Sequence, residues 1–240
     1  VWCRRPHVTF LHHVHGPMWD QILPGPFAAL GRGLESRLAP PLYRGTETIT
    51  PSEATRDELL ELGFRPERVT AVPNGTDPRF LPGGAKTPEP SIVAVARLAP
   101  VKRLSLLVDA SVAARGHVPE LSLTIVGDGP ERAALEQQVR NSGAAEWVRF
   151  AGRVDHGDLV ELYQRSWIVA SASLAEGWGL SLTEAAGCAT PAVATDIRGH
   201  RSSVVDGVTG VLADPVDLAD AMVRVLTDDH LRSRLGRAAQ

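Results

Sequence analysis

The 240-residue sequence has few cysteines, no long apolar run and no excess of charge of one sign. Cys3 and Cys188 lie far apart and outside any C-x-x-C or Cys/His cluster, so neither a disulfide scaffold nor a zinc site is indicated. No stretch approaches the ~20 apolar residues of a membrane span, and the first residues lack the apolar core of a signal peptide. A net charge of -3 supplies no global positive field for nucleic acid or an anionic membrane.

What is present is an apolar fraction of 43%, enough for a buried core. From residue 91 onward, short β-branched runs alternate with amphipathic segments. Continuous apolar strands in such an alternation predict a parallel sheet covered on both faces, a Rossmann-like domain. The predicted strands cover residues 91–96, 121–127, 147–152, 167–173 and 191–195. The predicted helices cover 104–115, a segment after the turn at 128–130 with Leu135 and Val139 inward, the region around 159–163, a segment from about 180, and a short stretch before 207. Ligands of such sheets bind at the carboxyl ends of the strands.

Residues 1–75 are predicted to be the rest of a second α/β unit. The pattern indicates strands at 7–11, 47–50 and 68–72, with helices at 27–38 and from Ser52. Residues 80–91 are rich in Pro and Gly, which is linker composition. We therefore predict a partial amino-terminal domain over 1–80, a linker over 81–90 and a second domain over 91–240. Because the first half is short and Val1 opens directly before a strand, we expect the sequence to be a piece of a longer chain.

The most informative motif is E-G-W-G-L-S-L-T-E, which runs from Glu176 to Glu184 after a predicted strand. A glycine-rich turn into a helix presents backbone N–H groups and the positive helix end, which suit a phosphate. With a helix start near Leu180, both carboxylates border that terminus and would accept hydrogen bonds from sugar and ribose hydroxyls. The alternative is that both are ordinary solvated charges.

Arg97 and Lys102 form a second candidate site in the loop after the strand at 91–96. A guanidinium and an ammonium five residues apart can both reach one diphosphate, and ordinary loop cations are the alternative. We predict Arg103 to be a surface residue. The run Gly127-Asp128-Gly129-Pro130 fails as a dinucleotide fingerprint, because G-x-G-x-x-G is not completed, and it is interpreted as a tight turn beside a ligand.

The ordered motifs VARLAPVKR, IVGDGPE, VRFAGRV, EGWGLSLTEAAGCATPAVAT and GVTGVL resemble the carboxyl-terminal domain of retaining glycosyltransferases of family 4. SEATRDEL and VPNGTDPRF resemble that family's domain junction. The resemblance covers most of residues 46–235 and implies the two-domain GT-B fold, here with an incomplete amino-terminal domain. Two departures are Ala96, where glycine commonly precedes the arginine, and Arg103, where glycine commonly follows the lysine.

By this resemblance, Glu176 binds hydroxyls of the transferred sugar and Glu184 holds the ribose of the donor. The other implied donor contacts are Arg97 and Lys102 on the diphosphate, Gly127 near the nucleotide, the backbone of Arg153 and Val154 on the base, and the amides around Gly177, Trp178, Gly179, Leu180 and Ser181 on the phosphate and sugar.

His12, His13 and His15 follow the predicted strand at 7–11. No carboxylate or cysteine completes a metal site next to them, so a metal is disfavoured, and a loop-capping role is an open alternative. In similar glycosyltransferases one histidine of the amino-terminal domain lies near the transferred sugar. Of the three, His13 is favoured as the catalytic-site histidine.

The predicted reaction moves a sugar from a nucleotide-diphosphate sugar to an acceptor hydroxyl of a glycan, lipid or small molecule. No D-x-D metal motif occurs in the sequence, so we expect neither metal nor cofactor. Retention of the anomeric configuration is implied by the resemblance. We expect no nucleic-acid partner and a cytoplasmic location, with peripheral contact at the inner face of a membrane left open.

Three alternatives remain at this point. One is a nucleotide-sugar epimerase of related fold, and another is a nucleotide-binding fragment without catalysis. A paired-carboxylate glycosidase is disfavoured, because its two acids face each other across the bond. The sequence leaves the base and sugar of the donor, the acceptor and the oligomeric state undetermined.

Overall fold

The computed structural model describes residues 7–240, apart from the side chains of Pro17, Gln21 and Ile22. Cys3 lies outside the described residues. The fold divides into a first unit, which comprises the described residues up to Gly75 together with Ala175–Trp178, and a second unit of Thr76–Leu174 and Gly179–Gln240. The segment predicted as a linker over 81–90 groups with the second unit and contains no helix or strand. The division at 1–80, 81–90 and 91–240 stays a prediction.

The first unit contains a three-stranded parallel sheet in the order β1-β2-β3. Its strands are β1 Val8–Phe10, β2 Glu47–Thr50 and β3 Val69–Ala71, and its helices are α1 Trp19–Ile22, α2 Gly25–Gly33, α3 Ala39–Tyr43 and α4 Glu53–Glu61. Helix α4 begins after Ser52, whose hydroxyl accepts the Thr55 N–H at 3.0 Å, as an N-cap serine does.

Helices α2 and α3 are joined by the π-helical turn Leu34–Leu38. The helix predicted over residues 27–38 therefore extends further, and its middle is irregular. Pro40 and Pro41 supply a reason, since proline lacks an N–H and its ring clashes with the carbonyl four residues earlier in a regular α-helix. At the end of the turn the Ala39 N–H bonds the Leu34 carbonyl, the spacing of five residues that defines a π turn.

The second unit contains a six-stranded parallel sheet in the order β6-β5-β4-β7-β8-β9. The strands are β4 Ser91–Val95, β5 Ser122–Val126, β6 Val148–Gly152, β7 Ile168–Ser171, β8 Ala192–Thr195 and β9 Gly210–Ala213. From β4 the chain proceeds outward on one side to β6, and then returns to β7 on the other side of β4. The switch point between β4 and β7 is where open sheets of this type leave a crevice for a ligand.

Helices cover the faces of this sheet. They are α5 Leu104–Arg115, α6 Arg132–Asn141, α7 His156–Arg165, α8 Leu180–Gly187, α9 Arg198–Ser203, α10 Leu218–Thr227 and α11 Asp229–Ala238. Helix α5 has the predicted bounds and α8 begins at the predicted residue, whereas β9, α10 and α11 were not predicted as elements. Leu107, Ile125 and Met222 are fully buried in one large core cluster between sheet and helices. Within residues 7–240, no helix is long and apolar enough to cross a bilayer.

Candidate active site

The loops after β4 and β7 are tied together at the switch point. Arg97 is exposed and Lys102 half-buried on the loop between β4 and α5. Across the switch point, the Leu174 N–H donates to the Val101 carbonyl at 2.8 Å. The structure therefore places both predicted diphosphate-binding cations on the loop that borders the crevice.

Arg103 makes further contacts between these loops, and its prediction as a surface residue is wrong. Its Nε donates to the Ala172 carbonyl at 2.8 Å and its Nη2 to the Ser173 carbonyl at 3.0 Å. Desolvation lowers the pKa of the half-buried guanidinium. Its backbone has φ 44°, a left-handed conformation that favours glycine. The chain thus keeps the conformation that glycine suits and gains a side chain that holds the loop after β7.

The turn after β5 packs directly against the loop after β4. Gly127 has φ 124°, and a Cβ there would lie 1.9 Å from the Ala96 carbonyl oxygen. A Cβ at Gly129 would lie 2.3 Å from the carbonyl oxygen of Leu98, whose own N–H donates to Asp128 O at 3.0 Å. Both glycines are therefore needed for this close approach, which gives them a structural reason independent of any ligand.

Helix α8 starts at the switch point, directly after Gly179. Gly179, in a left-handed conformation with φ 99°, precedes the helix and has no side chain to cap it. The first-turn N–H groups of an α-helix have no intrahelical acceptor, so those of Leu180 and Ser181 suit an anion, as at anion sites on helix termini. His200 packs beneath, and its Cδ2 would lie 3.4 Å from a Cβ at Gly179. The buried His200 ring is held by the Thr195 carbonyl at 2.7 Å from Nδ1.

Glu184 lies one turn inside α8 and contacts α7. The Tyr163 hydroxyl donates to Glu184 Oε2 at 2.9 Å. Burial raises the pKa of the Glu184 carboxyl, and the Tyr163 hydrogen bond and the charge of His156 oppose that rise. Arg153 and Val154 follow β6 and line a groove of about 670 Å³ with residues of α7.

The segment Ala175–Trp178 packs with the first unit. The Ser52 hydroxyl donates to the Gly177 carbonyl at 3.0 Å, and a Cβ at Gly177 would lie 2.0 Å from the His12 carbonyl oxygen. The indole N–H of Trp178 is buried and meets no acceptor in the described part of the chain. The amides predicted to act together over residues 177–181 are therefore divided between the two units.

His13 is the histidine brought next to this segment. Its Cβ would lie 3.3 Å from a Cβ at Gly177. Burial lowers the pKa of His13, the positive charge of His15 adds to this, and Glu176 and Glu35 oppose it. His13 and Glu176 thus interact electrostatically within the first unit.

Among residues 7–240, no group of three or more His, Cys, Asp and Glu side chains is arranged to hold a metal ion. His13 and His15 after β1 are instead packed ring against ring, with centroids 4.5 Å apart, and the ring of His12 packs on Phe10.

Comparison with known protein families matches both halves of the chain. Residues 80–240 match Glycosyl transferases group 1, and residues 1–80 match Glycosyltransferase Family 4. The chain belongs to the glycosyl transferases group 1 family. This membership confirms the resemblance inferred from the ordered motifs, and the loops after β4 and β7 carry two of those motifs.

Two curated relatives of this group 1 chain cover most of it. It is 34% identical over 243 residues to the glycogen synthase of Mycobacterium tuberculosis, which is 98% of the chain and 58% of the relative. It is 32% identical over 218 residues to the D-inositol 3-phosphate glycosyltransferase of Frankia alni, which is 81% of the chain and 53% of the relative. The chain thus spans between half and three fifths of the length of these relatives.

Solved structures of glycosyltransferases share the group 1 chain's fold. HepE of Anabaena in complex with UDP has a TM-score of 0.80 at 25% identity and covers 99% of this chain and 67% of its own. A variant of S. aureus TarM, in complex with UDP and sugars, has a TM-score of 0.81 at 21% identity, covering 97% of this chain and 46% of its own. The predicted α/β class of GT-B type with parallel sheets is confirmed.

Sequence reasoning missed four residues that shape these sites: Glu35, Arg103, Tyr163 and His200. Each acts on a partner distant in sequence, such as the Ala172 carbonyl 69 positions from Arg103. The one available signal was the departure from glycine at Arg103, which marked that position as unusual.

Proposed function

We propose that the protein takes part in glycosyl transfer from a nucleotide-diphosphate sugar to an acceptor hydroxyl of a glycan, lipid or small molecule. The observation that carries the proposal is the switch point of the second unit. There the loop with Arg97 and Lys102 follows β4, and the uncapped start of α8 at Gly179 follows the loop after β7. Family membership and the names of the relatives support the same reaction class.

Cleavage of the sugar to phosphate bond leaves negative charge on the departing diphosphate. Arg97, Lys102 and the first amides of α8 provide positive potential where that charge develops, and preorganised groups of this kind stabilise a transition state strongly. We propose on this basis that the reaction proceeds without a metal ion. HepE, whose structure contains UDP, makes UDP-sugars the first donors to test.

Retention of configuration is part of the proposal. The acceptor hydroxyl attacks C1 of the sugar on the face from which the diphosphate leaves, so the C1 to acceptor oxygen bond replaces the C1 to phosphate oxygen bond. The acceptor proton leaves with the diphosphate. Glu176 binds hydroxyls of the transferred sugar, His13 lies near it, and Glu184 holds the ribose. A proton NMR spectrum of the product reports the anomeric configuration directly.

The decisive variants are Lys102→Ala and Glu176→Gln, measured by UDP release in the presence of an acceptor. Each is expected to lower turnover by about 100-fold or more, because each removes a group that acts on the reacting centre. Lys102→Arg keeps the charge and is expected to retain more activity than Lys102→Ala. Glu146→Gln, an exposed carboxylate of the second unit, is the matched control. Near-normal turnover in both decisive variants would contradict the assignment.

Three measurements on the wild-type protein, namely turnover, UDP binding and isomerisation of the donor sugar, separate the competing functions. UDP binding by calorimetry without turnover on any acceptor would identify a nucleotide-binding module. Isomerised sugar formed from donor and protein alone would identify an epimerase. A cytoplasmic location with peripheral membrane contact is also proposed, and co-sedimentation with vesicles of anionic lipid tests the contact.

A further inference from the structure

Glu35 holds the loop that carries the histidines, residues 12–16, which we call the histidine loop. Glu35 Oε1 accepts the His15 backbone N–H at 2.7 Å, and Oε2 accepts the Gly16 N–H at 2.8 Å. The Trp19 indole N–H donates to Oε2 at 3.0 Å, and the Nδ1 of His15 lies 3.3 Å from Oε1. Both oxygens of one carboxylate are therefore engaged by groups of the histidine loop and α1.

These contacts fix the aromatic rings relative to one another. His15 is stacked on Trp19, with centroids 4.7 Å apart and planes at 28°. The ring centroid of His13 lies 4.5 Å from that of His15. His15 is thus in ring contact with both Trp19 and His13, so the position of His15 constrains that of His13.

The position of Glu35 depends on the irregular helix. Glu35 is the second residue of the π turn Leu34–Leu38, which precedes Pro40 and Pro41. A π turn inserts an extra residue into a helix and changes which side chains share a face, and such turns are frequent at functional sites. The π turn before the two prolines thus contains Glu35, the residue that binds the histidine loop.

The carboxylate stays charged in this setting. Burial alone would raise the pKa of Glu35, but the hydrogen bonds from His15, Gly16 and Trp19 outweigh it and lower the pKa below the usual value. Hydrogen bonds to an ionised acceptor are roughly twice as strong as neutral ones. A hydrogen bond from His15 Nδ1 to the carboxylate also selects the tautomer of that ring.

We infer that Glu35 is a positioning residue of the active site, which orients His15 and through it sets the ring of His13 beside Glu176. The inference rests on the proposed function, in which His13 lies near the transferred sugar. The geometry of the histidine loop then depends on one carboxylate about twenty residues further along the chain.

The test compares Glu35→Gln with Glu67→Gln, an exposed carboxylate of the same unit. Gln turns an N–H group toward existing N–H donors at one of the two oxygen positions, so part of the network must break. We expect kcat to fall about 10- to 100-fold, with KM for the donor changed less than about threefold, because the loop is misplaced while the donor site is intact. Side-chain ¹⁵N NMR of His13 and His15 should show altered tautomer populations only in Glu35→Gln.

Trp19→Phe serves as a second variant, since it removes one donor to Glu35 and keeps an aromatic ring against His15. Its histidine spectra should change less than those of Glu35→Gln. If Glu35→Gln unfolds, the change of the Trp19→Phe histidine spectra from those of the wild type decides the matter, and unchanged spectra would overturn the inference.

Histidine spectra of Glu35→Gln identical to those of the wild type would likewise overturn it. If instead the wild-type protein transfers no sugar, or His13→Ala transfers it normally, the proposed function or the role of His13 fails. The NMR comparison then still decides whether Glu35 sets the orientation of the two histidines.

Discussion

The two units hold their site loops by different means. In the second unit, the loops after β4, β5 and β7 are joined by backbone hydrogen bonds, by close glycine contacts and by Arg103, all on a six-stranded sheet. In the first unit, the histidine loop follows a strand of three residues and depends on the Glu35 side chain. The candidate donor site is thus a consequence of sheet packing, whereas the histidine site depends on a few side chains.

The cores differ in the same direction. The second unit buries large clusters on both faces of its sheet, while the described core of the first unit is a cluster of Leu59, Phe64 and Val69. The helical segment of the first unit that comprises α2, the π turn and α3 also leaves apolar side chains exposed, namely Phe27, Leu30, Leu34, Leu38 and Leu42. We therefore expect the second unit to resist unfolding more strongly.

The largest expected effect comes from Gly127→Ala. The new Cβ would meet the Ala96 carbonyl at 1.9 Å in a backbone with φ 124°, so the β5 turn must move. We expect a loss of about 3 kcal/mol or more in the free energy of unfolding, from combined strain and clash. Urea unfolding measures the loss, and hydrogen exchange by segment should locate it in the second unit.

Two glycines provide the comparison for this variant. Gly177→Ala also creates a close contact, with the His12 carbonyl, but on loops of the first unit. We expect Gly177→Ala to lower turnover, and to change the free energy of unfolding less than Gly127→Ala does. Gly143→Ala places a Cβ in open space at φ 69° and should cost only about 1–2 kcal/mol for the left-handed backbone. Equal losses in Gly127→Ala and Gly143→Ala would show that the β5 turn tolerates the contact.

Arg103 gives the next largest effect. Arg103→Ala removes two hydrogen bonds from a charged donor and keeps the left-handed backbone, and we expect it to cost about 2 kcal/mol in the free energy of unfolding. Arg103→Gly loses the same bonds but relieves the backbone, so it should be about 1 kcal/mol more stable than Arg103→Ala. Thermal and urea unfolding of both variants provide the test. The reverse order would mean that the backbone conformation carries no strain.

The smallest expected effects are pH dependences of opposite sign in the two units. The Glu184 carboxyl has its folded pKa raised above 4.5, so its contribution to stability is lost as pH rises from that value through the folded pKa. His13 has its folded pKa lowered below 6.5, so its contribution is lost as pH falls through that range.

Urea unfolding as a function of pH checks both signs. The wild type should lose stability relative to Glu184→Gln as pH rises from 4 toward 7. It should lose stability relative to His13→Gln as pH falls from 7.5 toward 5. Parallel curves for the wild type and either variant would mean that the corresponding group has the same pKa in the folded and unfolded states.

Local patterns predicted much of the second unit. The apolar periodicity of Leu104–Arg115 and the glycine turn before Leu180 marked those helices, because both signals lie within a few residues of the element they describe. The short strands of the first unit were also placed within a residue or two. The π turn was missed, since the prolines after it ended the apolar pattern without indicating how the helix would continue.

The sequence by itself determined the order of the strands and helices up to α9, the family, and the candidate motifs with Arg97, Lys102, Glu176 and Glu184. Only the tertiary structure decided that Arg103 ties the loops after β4 and β7, and that Glu35 holds the histidine loop. The physical reason is range. Periodicity and turn chemistry act between neighbours in sequence, whereas these hydrogen bonds join residues about 20 to 70 positions apart, which meet only when the sheets and helices are packed.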